Sequence, residues 1–196
     1  MPTIVISAKE LNQLVGKELS MDQIVELLER LKGEVEGVEG DRITVEVTSD
    51  RPDLFSVEGI ARAICYLLGL NVKPLNIVDG ALSVYVKETV LKVRPEIVCA
   101  AVKDVELTEE AIVQIMQLQE KLHHTYGLRR REASIGVYDL DTVTPPIYYE
   151  ALPPDDIVFR PLNCEKEMTG REILRNTDAG RMYGHLLEGM DYFPVL

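Results

Sequence analysis

The sequence predicts an α+β protein, with a small helix–helix–hairpin–helix module followed by a mixed α/β domain. Three observations carry this. Apolar residues near the N-terminus recur at helical spacing between capping residues and glycines. One stretch then alternates apolar and polar residues around a Gly-Asp pair. After a proline-bearing linker, short β-rich runs are interleaved with a single long helical pattern.

Ser7, with Glu10 three residues on, marks the start of the first helix, and Gly16 marks its end. Ser20 and Gln23 open the second, whose apolar stripe is Ile24, Leu27, Leu28 and Leu31, with Gly33 as the stop. In "EVEGVEGDRITVEVT", Val35, Gly37, Ile43, Val45 and Val47 alternate with polar residues, and Gly40-Asp41 lies between the two runs, which predicts a hairpin with one apolar face. Ser56 caps a third helix with Glu58 in its first turn, a stripe of Ile60, Ala61, Ile64, Leu67 and Leu68, and Gly69 as its end. "NVKPLNIVDG" reads as the linker, dividing residues 1–75 from 76–196.

The second domain is expected to hold strands at "LSVYV" and "IVCAAV" and a helix from about 108 to 126. Thr108 caps that helix, and its inner face is Ile112, Ile115, Met116 and Leu122. Strands "ASIGV" and "IYYEA" follow, separated by Pro145-Pro146. Thr169 with Glu172 starts another helix, which fades near Gly180, and "YFPVL" starts a last strand that stops mid-pattern, as a truncated domain would.

Composition narrows the function classes. The net charge is −12, and the acidic surplus is spread along the chain. A dedicated nucleic-acid-binding domain carries a basic surplus, so any contact with nucleic acid must be local. No apolar run is long enough to span a membrane, and the N-terminus lacks the order of a secretory signal, so a cytoplasmic protein is expected. Cys65, Cys99 and Cys164 stand far apart and are expected to act as small apolar groups, with no metal site. There is no GxSxG and no HExxH, and no catalytic residue can be named.

One stretch breaks the acidic pattern. From Lys121 to Arg131, "KLHHTYGLRRR" holds cations and histidines without a carboxylate. It is either a solvated helix end, where cations favour the dipole, or a phosphate handle formed by Lys121, His123, Arg129, Arg130 and Arg131. On a strand, three adjacent arginines could not all face one way, so two are expected in solvent and one paired with Glu132 or Asp141. Asp139 and Asp141 follow, as turn and cap residues or, for Asp139 with Tyr138, as the rim of a pocket. His185 is expected to be packed and hydrogen-bonded, and Arg51 to pair with a carboxylate.

"SDRPDLFSVEGIARAICYLLG" resembles a segment of the phenylalanyl-tRNA synthetase beta subunit, with Asp50 where many relatives have Asn. "QLQEKLHHTYGLRRREASIGVYDLDTVTPPIYYEA", "FRPLNCEKEMTGREIL" and "GRMYGHLLEGMDYFPVL" resemble the opening of that subunit's editing domain in its archaeal and eukaryotic form. The resemblance implies that the second domain is editing-type. It implies a heterotetrameric ligase whose partners are tRNA(Phe) and the alpha subunit. ATP and magnesium serve the full enzyme, and no cofactor is expected in this stretch, nor any DNA or membrane partner. It also implies an editing role, hydrolysis of mischarged tyrosyl-tRNA(Phe), with Leu196 at a position lining the tyrosine pocket. Editing has a physical motive, because an apolar pocket rejects an added hydroxyl by only about a hundredfold. The alternative is a non-catalytic tRNA-binding and subunit-assembly module.

Overall fold

The computed structural model describes residues 1–80 and 82–196. Two compact units form, residues 1–76 with 105–136, and residues 77–104 with 137–196.

The first unit opens with a strand that the sequence reading missed, β1 (Thr3–Ser7). Its run "TIVIS" is β-branched and alternates buried Ile4 and Ile6 with more open neighbours. Ser7 ends β1 and caps α1 (Ala8–Val15), its hydroxyl oxygen accepting from the Glu10 N–H at 3.0 Å. Ser7 Oγ also donates to Asp41 at 2.5 Å. Gly16, at φ 70°, closes α1 as expected.

Helix α2 (Met21–Arg30) has the full reciprocal capping box of Ser20 and Gln23. Its end differs from expectation. Lys32, at φ 64°, takes the left-handed position, and the Gly33 N–H closes back on the Leu28 carbonyl at 2.9 Å. Gly33 serves packing instead, since a Cβ there would lie 3.0 Å from Val45 Cγ1.

The hairpin is β2 (Glu34–Glu39) and β3 (Arg42–Glu46), with a bulge between Val35 and Gly37. The sheet order is β1-β3-β2, all antiparallel. Helix α3 (Val57–Leu67) follows a 3-10 turn at Pro52–Leu54 and is capped by Ser56. Ile60, Ala61 and Ile64 are buried as expected, whereas Leu67 is exposed. Cys65 is buried in the same core, and Cys99 is exposed.

Helix α4 (Glu109–His124) belongs to this unit, not to the second domain where the sequence partition had put it. Its packing face also differs. Ile112 and Met116 are exposed; Gln114 and His123 are buried, and Leu118 and Leu122 pack on the core of α1, α2, α3 and the sheet. The reason lies at the open edge of β1. Gln117 Oε1 accepts the Val5 N–H at 3.2 Å, and Gln114 Oε1 in turn accepts from Gln117 at 3.3 Å. A helix beside a sheet edge can offer polar side chains to unpaired backbone groups, and hydrophobic spacing does not register that role.

The second unit is built on β4 (Val84–Val86), β5 (Ile147–Leu152) and β8 (Phe193–Val195), ordered β4-β5-β8. The β4–β5 pair is parallel and the β5–β8 pair antiparallel. A small ladder, β6 (Val158–Phe159) with β7 (Met168–Thr169), leads into α5 (Gly170–Asn176) and α6 (Asp178–Tyr183). Thr169 and Glu172 form the expected capping box. Two helices replace the single fading one because Thr177, in extended conformation, ends α5 and caps α6. The predicted strands at "IVCAAV" and "ASIGV" are absent. Buried side chains are few here, with Tyr149, Ala151 and Val90 at the centre.

Candidate functional site

The basic stretch is not a strand. Leu128, Arg129 and Arg130 have φ of 45°, 56° and 69°, so three successive residues lie in the left-handed region. Each such residue costs roughly 1–2 kcal/mol, and local hydrogen bonds must hold the turn in place. The Leu128 N–H reaches the Thr125 carbonyl, the Arg130 N–H the His123 carbonyl, and the Glu132 N–H the Gly127 carbonyl. Gly127 is required beneath it, since a Cβ there would lie 2.4 Å from the Ala133 carbonyl oxygen.

Glu120 is the hub of the site. The Arg130 guanidinium bonds to its carboxylate, and the Nδ1 atoms of His123 and His124 both lie 3.5 Å from it. Partial burial pushes the Glu120 carboxyl up, but the charge of Arg130 and the hydrogen bonds from His123 and Arg130 outweigh it and hold the group below its usual range. Arg130 of the triplet thus meets Glu120, ten residues before it, a partner that the sequence spacing did not point to.

His123 is 2% exposed, so it cannot touch a tRNA phosphate as the sequence reading had proposed. Its Nε2 accepts the Ile135 N–H at 2.8 Å, while Gln119 donates to the Ile135 carbonyl at 2.6 Å. Two side chains one turn apart on α4 thus grip both backbone groups of Ile135. They supply what a neighbouring strand would have supplied, and this holds the extended segment after the turn. Arg129 and Arg131 are exposed, and Lys121 is half-buried. Lys121, His124 and Thr125 help to line an open groove of about 600 Å³, together with Met1, Thr3 and Ser49.

The residues predicted to line a pocket lie in the second unit. Tyr138 is 69% exposed, and Leu196, the last residue of the chain, 56%. Asp139 accepts from the Asp141 N–H at 3.1 Å and starts a short 3-10 turn, which is the capping role weighed for it. His185 is exposed, not packed. Arg51 forms the expected pair, a two-bond contact with Asp53 at 2.9 and 2.7 Å, which holds the Asp53 carboxyl below its usual range. Among the described residues, no three His, Cys, Asp or Glu side chains gather as a metal site, and no helix is long and apolar enough to cross a membrane.

Residues 4–66, the sheet with α1 to α3, match the model of the tRNA synthetase B5 domain. The first unit is therefore similar to a domain found in tRNA synthetases. All of this chain aligns with phenylalanine–tRNA ligase beta subunits at 41% identity, from Thermococcus sibiricus and from Archaeoglobus fulgidus. It spans 36% of the length of each. A crystal structure of an N-terminal fragment of the phenylalanyl-tRNA synthetase beta subunit from Pyrococcus horikoshii superposes with a TM-score of 0.91 at 36% identity, covering 98% of this chain and 57% of that one. The chain is homologous, along its whole length, to the N-terminal region of the phenylalanine–tRNA ligase beta subunit. Sequence reasoning found the family through its motifs but did not find the Glu120–His123–Arg130 cluster, because a Glu-x-x-His spacing on a helix carries no sign of an arginine folding back.

Proposed function

We propose that this chain forms part of a phenylalanine–tRNA ligase beta subunit in the cytoplasm and contacts tRNA(Phe) phosphates through the basic turn after α4. The observation that carries this reading is the division of labour in the turn. Glu120 bonds Arg130 and so helps anchor the turn, while Arg129 and Arg131 remain exposed. On a chain of net charge −12, a fixed pair of cations is a local attraction for a polyanion that the rest of the surface repels.

The test is tRNA binding against salt. Removing two phosphate contacts lowers the slope of log K on log salt by roughly 1.5. Arg129→Ala/Arg131→Ala is expected to show that change. Arg130→Ala is expected to lower stability instead and to leave the slope nearly as it was. An unchanged slope in the double variant overturns the reading.

The wider role in this reading is editing, with the second unit as the opening part of a domain that hydrolyses tyrosyl-tRNA(Phe). Binding selects the phenol because a buried polar site left unpaired by phenylalanine costs about 1–3 kcal/mol per group. The exposure of Tyr138 favours a second reading for this stretch alone, a tRNA-binding and subunit-assembly module that works beside the alpha subunit without chemistry of its own. Deacylation of tyrosylated tRNA by this chain, beside one extended to the length of its relatives, separates the two. Clearance by the longer chain only assigns the chemistry to residues beyond Leu196, and clearance by neither leaves the module. ATP and magnesium are implied for the whole ligase. The described residues offer no cluster of ligands for the metal, and no step is derived through either.

A further inference from the structure

One buried histidine ties the arginine turn to the segment that follows it. His123 is 2% exposed, and its two ring nitrogens face different groups. Nε2 accepts the Ile135 N–H at 2.8 Å, so it carries a lone pair and no proton. In the neutral ring the proton then sits on Nδ1, which lies 3.5 Å from Glu120 Oε1. The backbone carbonyl of the same residue accepts the Arg130 N–H at 3.2 Å. His123 thus holds Arg130 through its backbone and Ile135 through its ring. The stretch between them, with Arg131 at its head, is pinned at both ends.

A second proton on this ring has one place to go, which is Nε2. It would set two N–H donors against each other across 2.8 Å, where there is too little exposure for water to take over the bond. Ring and segment must then part. The charged groups around the ring favour that outcome over refusal of the proton. Helix α4 supplies the Glu120 carboxylate on the Nδ1 side as a counter-ion. The turn supplies Arg130, bonded to that same carboxylate, and His124 Nδ1 lies 3.5 Å from its other oxygen. Residues 133–137, the segment facing Nε2, bring no titratable side chain. The new charge therefore has a partner, and the bond to Ile135 is what the proton breaks.

We infer that His123 is an acid-released latch: neutral, it pins the stretch from Arg131 to Ile135, and protonated, it lets that stretch go, so that the arginine turn loses its fixed form. The latch is read without RNA. Only its effect on binding rests on the proposed contact of Arg129 and Arg131 with tRNA phosphates.

Amide solvent exchange, measured by NMR on the whole chain from about pH 8 to about pH 5 and corrected for the intrinsic rate, reads the latch. The reference is the Gly33 N–H, bonded to the Leu28 carbonyl at 2.9 Å, an acceptor that does not titrate. Protection of the Ile135 N–H relative to it is expected to fall about tenfold or more over that range. His123→Gln removes the titration and is expected to make this ratio flat. Nitrogen NMR of the parent ring is expected to show the proton on Nδ1 alone at about pH 8 and on both nitrogens at about pH 5. With tRNA(Phe), the affinity advantage of the parent over Arg129→Ala/Arg131→Ala is expected to shrink toward one as the pH falls. The same comparison made on a His123→Gln background is expected to hold steady. Charge gained by the exposed His124 cancels, because both members of each pair carry it.

A flat Ile135 ratio in the parent overturns the latch, and so does a proton on Nε2 at about pH 8; both need only the parent chain. A falling ratio that His123→Gln keeps assigns the titration to another group and also overturns it. A falling ratio beside an advantage that stays constant above one sinks the link to tRNA. A falling ratio beside an advantage of one at every pH sinks the phosphate contact and leaves the latch standing.

Discussion

Gly59→Ala is expected to destabilise the first unit, although by helix propensity alone it should help. Gly59 lies in the first turn of α3, where alanine is favoured over glycine by about 1 kcal/mol. A Cβ at this position would lie 1.7 Å from the Asp53 carbonyl oxygen. A carbon–oxygen contact needs roughly 3.3 Å, so the helix start or the Pro52–Leu54 turn must move by about 1.6 Å. That turn leads directly into Leu54 and Phe55, which are 1% and 0% exposed, so it has no free direction in which to move. Overpacking typically costs 1–3 kcal/mol and more where backbone meets backbone. Because the clash is with backbone, the upper end of about 3 kcal/mol applies, and set against the propensity gain the net loss is about 2 kcal/mol. For a unit of roughly a hundred residues this is a fall in Tm of about 8 °C or more. Thermal unfolding followed by circular dichroism measures it. Gly37→Ala is the control, because a Cβ there meets nothing within 4 Å. A Gly59→Ala chain as stable as its parent, or more stable, refutes this account of why the "RPDLFSVEG" segment ends in glycine.

Lys32→Gly should stabilise by about 0.5–1 kcal/mol, since Lys32 is exposed and holds φ 64° at the end of α2; a urea midpoint that falls contradicts it. Glu120 gives a pH signature. Its folded carboxyl lies below the ordinary 4.5, so its stabilisation is complete above that value and is lost as the pH falls through the lowered one. Glu120→Gln should therefore flatten the stability curve in acid below about pH 4.5, and parallel curves for parent and variant would exclude Glu120 as the source. His123→Ala should free the Ile135 N–H and speed its hydrogen exchange by tenfold or more, as expected for a bond worth roughly 1.5 kcal/mol or more; an unchanged exchange rate would show that the grip on this segment lies elsewhere.

The caps, the hairpin and the family likeness were legible in the sequence because each depends on residues a few positions apart. Ser7, Ser20, Ser56, Thr108 and Thr169 all cap as their spacing predicts. Gly40-Asp41 turns the hairpin for the same reason. Strand β1 was missed because five residues next to a strong helix start carry little periodicity. The predicted strands "IVCAAV" and "ASIGV" failed for the opposite reason, since β-rich composition without a partner strand does not make a sheet.

By itself the sequence determined where most helices start, the buried stripe of α2 and most of that of α3, and which family the chain resembles. Tertiary structure alone decided that α4 turns Gln114, Gln117 and Leu118 inward, that His123 is buried, and that Arg130 folds onto Glu120 while Arg129 and Arg131 stay exposed. A cap answers to its own turn. A helix face answers to whatever surface lies beside it, and here that surface is the edge of a strand more than a hundred residues earlier in the chain, with a backbone N–H that the Gln117 side chain accepts.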